Sequence, residues 1–202
     1  MTRPDYAEKS FWLETAGPYE EQPPLQEAID VDVLVVGGGF TGLSTAYHVK
    51  KQQPGLRVAL VEAYVAGYGA SGRNAGFAMT LFGLTLSLTK NFFGREHAAE
   101  AHHYMERAVD YVGELVEAHH LDCEYERPGF LRVATTEGYA RRIQEEIELA
   151  HRLGIEGITW LDASAVAEQV RSPLGLGAWW ESRCALLNPA KLARGLARAA
   201  AA

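Results

Sequence analysis

The sequence is poor in cysteine. Its 202 residues include only Cys123 and Cys184, far apart in the chain and without the C-x-x-C spacing that is typical of zinc sites. This scarcity argues against a disulfide framework and against a zinc centre. We therefore expect no metal site, two buried thiols that behave as small hydrophobic side chains, and a reducing, cytoplasmic setting.

The sequence also lacks a long apolar run. Its longest weakly polar stretch, residues 77–88, is shorter than the roughly 18 to 20 residues that a membrane-spanning helix needs. We expect this stretch to be buried core or the lining of a pocket. The first residues are polar and acidic, where a secretion signal has a basic start and an apolar run. No membrane partner is therefore expected.

A basic surface is missing as well. The chain has 26 acidic and 19 basic residues, a net charge of -7, and its basic residues form no stripe. Nucleic-acid binding relies on clustered Lys and Arg, so nucleic acid is not an expected partner. What the chain does have is 48% hydrophobic residues, enough for the core of one ordinary globular domain or of one and a half small ones.

The first recognisable unit is a β-α-β pattern. The valine-rich run VDVLVVGGG at 31–39 predicts a strand buried on both faces of a parallel sheet. Apolar residues at helical spacing predict a helix from Phe40 to about Gln52, and residues 57–63 predict a second strand. Together they form a unit of about 30 residues, for which a right-handed crossover is the rule.

The other segments give a coarser picture. Residues 1–30 predict an extended arm with a helical turn near Ser10 to Glu14, packed through Phe11 and Trp12. The later pattern predicts a helix over 96–121, two strands within 123–136, and a helix over 137–153 ended by Gly154. It further predicts strands at 158–162 and 177–182 and a helix from Pro189. The apolar side of the helix over 96–121 is expected to carry Ala99, Tyr104, Ala108, Tyr111, Val112, Leu115 and Val116. The pattern thus changes from nucleotide-binding to α+β after about residue 95.

A glycine motif joins the first strand to the first long helix. Residues 37–42, Gly-Gly-Gly-Phe-Thr-Gly, satisfy G-x-G-x-x-G. In a dinucleotide-binding unit the first glycine, Gly37, makes the tight turn, Gly39 lets a pyrophosphate approach the backbone, and Gly42 lets helix and strand pack closely. The free N-H groups and the helix dipole then face the anion. The position of the motif between a strand and a helix makes a chance match improbable.

Glu62 follows the motif at the spacing that such units use. It comes 20 residues after Gly42, at the end of the second predicted strand. A carboxylate there can accept hydrogen bonds from both hydroxyls of an adenosine ribose, and its charge disfavours a 2'-phosphate. FAD and NAD both remain open on this evidence, whereas NADP is not expected.

Three stretches together resemble a known family. They are VDVLVVGGGFTGLSTAYHV at 31–49, VALVEA at 58–63 and GASGRNAGF at 69–77. They are similar to the N-terminal part of the FAD-dependent amine and amino-acid oxidases, which include glycine oxidase, sarcosine oxidase and D-amino-acid oxidase. GASGRNAG and the later LLNPAKLARGLARAA most resemble the gamma-glutamylputrescine oxidase branch. The third stretch is the one that favours FAD over NAD.

The resemblance implies a fold and a set of FAD contacts. The expected fold is α/β, a Rossmann-like FAD-binding parallel sheet with helices, plus part of an α+β substrate domain. The implied division is an arm over 1–30, an FAD unit over 31–95, the start of a substrate region over 96–188 and a returning helix over 189–202. The implied cofactor-binding residues are Gly37, Gly39, Phe40, Thr41 and Gly42 at the diphosphate, Glu62 at the ribose, and Ala70, Ser71, Arg73, Asn74, Ala75 and Gly76 along the flavin. A surface ion pair remains the alternative role for Arg73.

The resemblance also implies a reaction. A small amine or amino acid would bind over the flavin and deliver a hydride to it, the imine would hydrolyse, and oxygen would reoxidise the flavin. No residue is identified as a catalytic acid or base. The alternatives are an NAD-dependent dehydrogenase and a non-catalytic dinucleotide-binding fragment. The ending RGLARAAAA has neither a capping glycine nor a following strand, so we expect a larger protein. By the size of the family, the resemblance implies that this chain is roughly half of it.

Histidines and aromatic residues invite further hypotheses. His103 and His120 lie about 25 Å apart on the predicted helix, too far to share a metal ion. The pairs His102-His103 and His119-His120 are therefore interpreted as helix-surface residues. Tyr104, Tyr111, Trp179 and Trp180 could line a substrate pocket, although core packing is the commoner role of such residues.

Overall fold

The structure is a computed structural model that describes residues 10–19 and 22–202. The helices are α1 (Phe11–Thr15), α2 (Phe40–Gln52), α3 (Leu86–Phe93), α4 (Arg95–Ala118), α5 (Glu137–Arg152), α6 (Ala163–Gln169) and α7 (Pro189–Ala201). The strands are β1 (Val33–Val36), β2 (Val58–Val61), β3 (Phe77–Ala78), β4 (Phe130–Ala134), β5 (Ile158–Asp162), β6 (Gly177–Glu181) and β7 (Ala185–Leu186). None of the helices in these ranges is long and apolar enough to span a membrane.

These elements belong to two compact units. Unit 1 comprises the described residues up to Phe77 together with Leu115–Tyr125 and Leu187–Ala202. Unit 2 comprises Ala78–Glu114 and Glu126–Leu186. The functional division of the chain at residues 30, 95 and 188 stays a prediction.

Unit 1 contains the expected β-α-β arrangement. β1 and β2 pair in parallel, with Val33 opposite Val58 and Val36 opposite Val61, and α2 connects them. A Cβ atom placed on Gly42 would lie 3.3 Å from Cγ1 of Val35, so the helix packs on the face of β1 that carries Val35. The predicted bounds of α2 are confirmed.

The opposite face of β1 is open in the described part of the chain. Leu34 is 56% exposed and Val36 is 79% exposed. The prediction that this strand is buried on both faces is therefore wrong for this structure. Side chains alternate along a strand, so one covering helix shields only every second residue.

The N-terminal arm and the C-terminal helix pack together in unit 1. Ser10 caps α1 by accepting a hydrogen bond from the N-H of Leu13, which confirms the predicted helical turn. Leu13 is buried and Trp12 lies against Gly76, whereas Phe11 is 66% exposed. The predicted packing of Phe11 is wrong because a five-residue helix buries only one side. Arg194 of α7 donates hydrogen bonds to two carbonyl groups that follow α1.

Unit 2 is built on a three-stranded antiparallel sheet. Its order is β4-β6-β5, so that β6 pairs on both sides. Helix α5 begins at a Thr136 cap and places its apolar stripe, including Ile143 and Ile147, into the core beside Trp179. Gly154 has a positive φ of 76° just after α5, which confirms its predicted role in ending that helix.

Two expectations about the later elements need correction, and two short helices were missed. The first strand expected within 123–136 is only a single bridge between Glu126 and Leu186. Tyr104 is 61% exposed, so it is not on the buried side of α4, whose buried residues include His102 and Glu106 instead. Helices α3 and α6 were not predicted, because both are short and local pattern is weak over one or two turns. Leu81 and Phe82, each 54% exposed, line a pocket, which agrees with the expectation that residues 77–88 form buried core or the lining of a pocket.

Candidate functional site

The glycine turn after β1 is shaped by contacts that only glycine permits. Gly37 has a φ of +106°, a conformation that other residues rarely adopt. Its N-H donates to the carbonyl of Val61, 2.8 Å away, which joins the turn to the end of β2. A Cβ on Gly42 would lie 2.0 Å from the carbonyl oxygen of Gly37. The turn and the first turn of α2 are thus in direct backbone contact.

The N-terminus of α2 offers N-H groups that the helix itself cannot satisfy. Gly39 is the N-cap residue, and Phe40, Thr41 and Gly42 follow it. The hydroxyl of Ser71 accepts the hydrogen bond of the Phe40 N-H at 2.9 Å. The N-H groups of Thr41 and Gly42 have no acceptor earlier in the helix, and they lie at its positive end. This end of the helix is suited to an anion such as a diphosphate.

Glu62 lies against the glycine turn. One carboxylate oxygen, Oε2, accepts a hydrogen bond from the Gly38 N-H at 2.6 Å, and Oε1 accepts one from the Tyr64 N-H at 3.0 Å. A Cβ on Gly38 would lie 3.3 Å from the Glu62 side chain, so a glycine allows this approach. Each carboxylate oxygen can accept a second hydrogen bond. The residue can therefore hold the turn and still bind ribose hydroxyls.

The loop after β2 folds back onto the same turn. The Gly67 N-H donates to the carbonyl of Gly38 at 2.9 Å. A Cβ on Gly72 would lie 2.1 Å from the Gly67 carbonyl oxygen, and one on Gly67 would lie 2.7 Å from the Cβ of Ala193. A 3₁₀ turn, Ala70–Gly72, completes this part of the loop. Close packing of the backbone thus explains Gly67 and Gly72.

Asn74 closes the loop through its side-chain amide. Its Nδ2 donates to the carbonyls of Ala70 and Ser71 at 3.3 and 3.1 Å. Its Oδ1 accepts from the Gly76 N-H at 2.8 Å. Gly76 is buried and has a φ of +77°. In this structure, Asn74 orders the backbone that follows the 3₁₀ turn.

Arg73 also contacts its own loop. The guanidinium carbon lies 4.9 Å from the centre of the Tyr68 ring. Its Nε donates to the Gly69 carbonyl at 3.4 Å. The side chain is exposed and has no carboxylate among its described contacts, which gives no support to the surface ion pair considered above. The structure therefore leaves the charge of Arg73 available to a ligand.

The predicted cofactor residues form one neighbourhood in unit 1. Gly39, Phe40 and Ser71 are half-buried, Gly76 is buried, and the side chains of Thr41, Ala70, Arg73, Asn74 and Ala75 are exposed. The structure brings Glu62 and Ser71 to the glycine turn and leaves Arg73 and Asn74 on the loop itself. Sequence reasoning missed Gly38, Gly67 and Gly72 as packing residues, although the glycine density of the two segments was a usable signal. That these residues bind the cofactor remains a prediction.

The histidine prediction needs one correction. His102 is 9% exposed, so it is a buried residue of unit 2 and not a helix-surface residue. The ring of His119 is also engaged, with a nitrogen 2.8 Å from the Tyr47 hydroxyl in unit 1. No group of three or more His, Cys, Asp or Glu residues suited to a metal ion is found among residues 10–19 and 22–202.

The two thiols and Trp179 lie in buried surroundings. Cys123 and Cys184 are buried and unpaired, as predicted, and burial raises the pKa of each thiol to about 11. A thiol with so high a pKa is a poor nucleophile at neutral pH. Trp179 is 8% exposed in the core of unit 2, where it also lines a cavity.

Comparisons with known proteins agree with this geometry. A family model described as "FAD dependent oxidoreductase" (DAO) matches residues 32–202. A gamma-glutamylputrescine oxidoreductase of Escherichia coli is 33% identical over 190 residues, which cover 94% of this chain and 44% of that protein. The chain thus spans less than half the length of this relative.

Solved structures show the same fold. Glycine oxidase from Geobacillus kaustophilus aligns with a TM-score of 0.67 at 26% identity, over 85% of this chain and 44% of that one. An L-amino acid deaminase from Proteus myxofaciens aligns with a TM-score of 0.70 over 91% of this chain and 39% of that one. At 18% identity, the second match speaks for the fold alone.

Proposed function

The chain belongs to the DAO family of FAD-dependent oxidoreductases, and from that premise we propose that the whole protein oxidises a small amine or amino acid at a carbon-nitrogen bond. The observation that carries the proposal is the loop 69–77, which returns to the N-terminus of α2 through the Ser71 to Phe40 hydrogen bond. A bare dinucleotide turn does not require this loop. The similarity to an enzyme named for gamma-glutamylputrescine and to glycine oxidase supports the substrate class.

The residues of unit 1 fit FAD. The glycine turn has no side chain between its backbone and an approaching diphosphate, because Gly37, Gly39 and Gly42 carry none. The N-H groups of Thr41 and Gly42 would hold the diphosphate, and Glu62 would accept hydrogen bonds from the adenosine ribose. The exposed small residues Ala70 and Ala75 would leave room for a flat ring system.

FAD, when bound, supplies the redox chemistry by accepting the electron pair lost from the carbon beside the substrate nitrogen. The role of the protein chain is to bind and orient the cofactor. Ser71 fixes the loop against the helix terminus, and Asn74 orders the backbone up to Gly76. The charge of Arg73 would offset the negative charge of the diphosphate or of the reduced cofactor. No described side chain is assigned as a proton donor or acceptor.

The comparisons give no support to an NAD-dependent dehydrogenase. The matching family is FAD dependent, and the two similar proteins above 25% identity that are named above are an oxidoreductase and an oxidase. We also propose a cytoplasmic location, which two buried, unpaired thiols suit. Cell fractionation with detection of this protein would test the location.

The cofactor and the reaction are tested in two separate steps. First, the purified protein is mixed with FAD or NAD, and binding is measured by calorimetry and by the flavin absorption spectrum. We expect tight binding of FAD and a yellow protein. Glu62→Gln should weaken FAD binding about tenfold, because a neutral amide is a poorer acceptor for ribose hydroxyls. Glu117→Gln, at an exposed position of α4, is the matched control and should not change it.

In the second step, the loaded protein is mixed with a panel of amines and amino acids without oxygen. Bleaching of the flavin by a member of the panel, and peroxide release once oxygen is admitted, would support the substrate class. A colourless protein that binds NAD tightly would overturn the cofactor assignment. A yellow protein that no amine or amino acid bleaches would overturn the substrate class and favour a non-catalytic fragment.

A further inference from the structure

Unit 2 contains a cavity of about 190 Å³ that lies wholly within that unit. Most of its wall is apolar, and its polar or charged lining residues include Thr80, His102, Arg132, Glu146 and Glu181. The volume is below the roughly 300 to 1,000 Å³ of pockets for drug-sized ligands. Its occupant is therefore a small molecule or the end of a longer one.

Glu181 is a buried carboxylate in this wall without a cation. It is 5% exposed. Its Oε2 accepts a hydrogen bond from Trp179 Nε1 at 3.1 Å, and its Oε1 accepts one from the Thr80 hydroxyl. Both donors are neutral, so they orient the carboxylate without balancing its charge. Within residues 10–19 and 22–202, no ion pair reaches Glu181.

The nearby arginines are committed to other carboxylates. Arg183 pairs with Glu106 and Asp110 at 3.3 and 3.0 Å. Arg132, at the cavity wall, pairs with Glu146 at 2.8 Å and stacks on the ring of Trp179, 4.7 Å from its centre. The Nε of Arg132 is buried without an acceptor among the described residues. This N-H can serve an oxygen of a ligand, but the charge of Arg132 is already balanced.

His102 supplies a second buried polar atom without a described partner in the same wall. It is 9% exposed, and its Nε2 is buried without a hydrogen-bond partner in the described part of the chain. The nearest carboxylate oxygen, Oε1 of Glu106, lies 3.8 Å from it. Burial lowers the pKa of His102, against the opposing effect of Glu181 and Glu106, which favours the neutral form of the ring. A neutral ring with its proton on Nδ1 accepts a hydrogen bond at Nε2.

The charges of the cavity favour a cation. With His102 neutral, Arg132 and Glu146 cancel, and Glu181 leaves a net charge of one negative unit. A buried charge without a partner is costly, so a cation beside Glu181 would stabilise the site, whereas an anion would be repelled. The apolar remainder of the wall suits a hydrocarbon chain.

We propose that the cavity of unit 2 binds the ammonium group of a primary alkylamine, with Glu181 as its counterion, His102 Nε2 as a second acceptor and Trp179 against its alkyl chain. This goes beyond the proposed function, because binding here requires neither FAD nor turnover. The ammonium group that binds here need not be the group that is oxidised.

Titration calorimetry of the full chain at pH 7, without FAD, tests this with three probes of equal length. n-Butylammonium should bind at least tenfold more tightly than 1-butanol, and butyrate should bind most weakly. Equal affinity for butylammonium and butanol, or tighter binding of butyrate, would overturn the proposal. Because no flavin is used, this result is separate from the outcome for the proposed function.

Variants of the cavity wall test whether the probe binds in the cavity of unit 2. Glu181→Gln should weaken butylammonium binding tenfold or more and leave butanol unchanged, whereas the control Glu148→Gln, on the exposed face of α5, should change neither. Ala101→Leu narrows the cavity without changing its charge and should weaken both probes. If Glu181→Gln does not fold, the test rests on Ala101→Leu. If Ala101→Leu leaves butylammonium binding unchanged, the probe binds outside the cavity, and the proposal is contradicted.

Discussion

The hydroxyl of Ser71 accepts the hydrogen bond of the Phe40 N-H at a distance of 2.9 Å, across 31 residues of sequence. This bond joins the loop after β2 to the first residue of α2. A Cβ on Gly39, the preceding residue, would lie 3.1 Å from the same hydroxyl oxygen. The glycine turn and the loop are therefore one structural site, although the sequence presents them as separate motifs.

Ser71→Ala should weaken FAD binding. It removes the acceptor of the Phe40 N-H, and a typical hydrogen bond contributes about 0.5 to 1.5 kcal/mol, or roughly two- to tenfold in affinity. Calorimetry with FAD measures the change. Thr45→Ala is the control, because its hydroxyl donates only to the Thr41 carbonyl of its own helix. Equal losses in the two variants would contradict a specific role of Ser71.

Gly42→Ala should destabilise unit 1 and reduce FAD binding. The added Cβ would lie 2.0 Å from the Gly37 carbonyl oxygen, so helix and turn must separate. Overpacking of this kind costs about 1 to 3 kcal/mol in the free energy of unfolding. Urea denaturation measures that cost. Gly55→Ala, where nothing lies within 4 Å of the new Cβ, is the control and should be nearly neutral.

Substitutions of Arg73 and Asn74 should have different effects on the free energy of unfolding and on FAD affinity. Asn74→Ala leaves the N-H of buried Gly76 without its acceptor, which costs about 1 to 3 kcal/mol of stability. Arg73→Ala removes an exposed contact with the Tyr68 ring, worth about 0.5 to 1 kcal/mol. If Arg73 offsets the charge of FAD, its variant loses more affinity than stability. A loss of stability alone would assign Arg73 to the loop.

Asp32 should make the free energy of unfolding depend on pH in the acid range. Hydrogen bonds from the Arg57 side chain and backbone lower the pKa of Asp32 from 3.8 to about 2. Since the folded pKa is the lower one, the stabilisation is present above pH 3.8 and is lost as the pH falls through about 2. The free energy of unfolding should therefore fall more in the wild type than in Asp32→Asn over this range. The effect should be small, because the pair is exposed. Parallel curves would contradict it.

Much of the first β-α-β unit could be predicted from the sequence. The valine run of β1, the helical spacing of α2 and the position of Glu62 are local signals, and α2 has its predicted bounds. Local patterns also located α5, β5 and α7. Most of the corrections concern burial: Leu34 and Val36 are exposed, Phe11 is exposed, and His102 is buried. Burial depends on which other element packs against a residue, and a local pattern does not contain that information.

By itself, the sequence determined the type and order of the longer helices and strands and the glycines of the turn after β1, because these depend on side-chain size, backbone freedom and periodicity along the chain. Only the tertiary structure decided that Ser71 accepts a hydrogen bond from Phe40 and that Asn74 accepts one from Gly76 of its own loop. It also decided that Glu181 is buried without a cation among the described residues. The reason is that hydrogen bonding and desolvation depend on distances in space. Residues far apart in sequence determine those distances once the chain has folded.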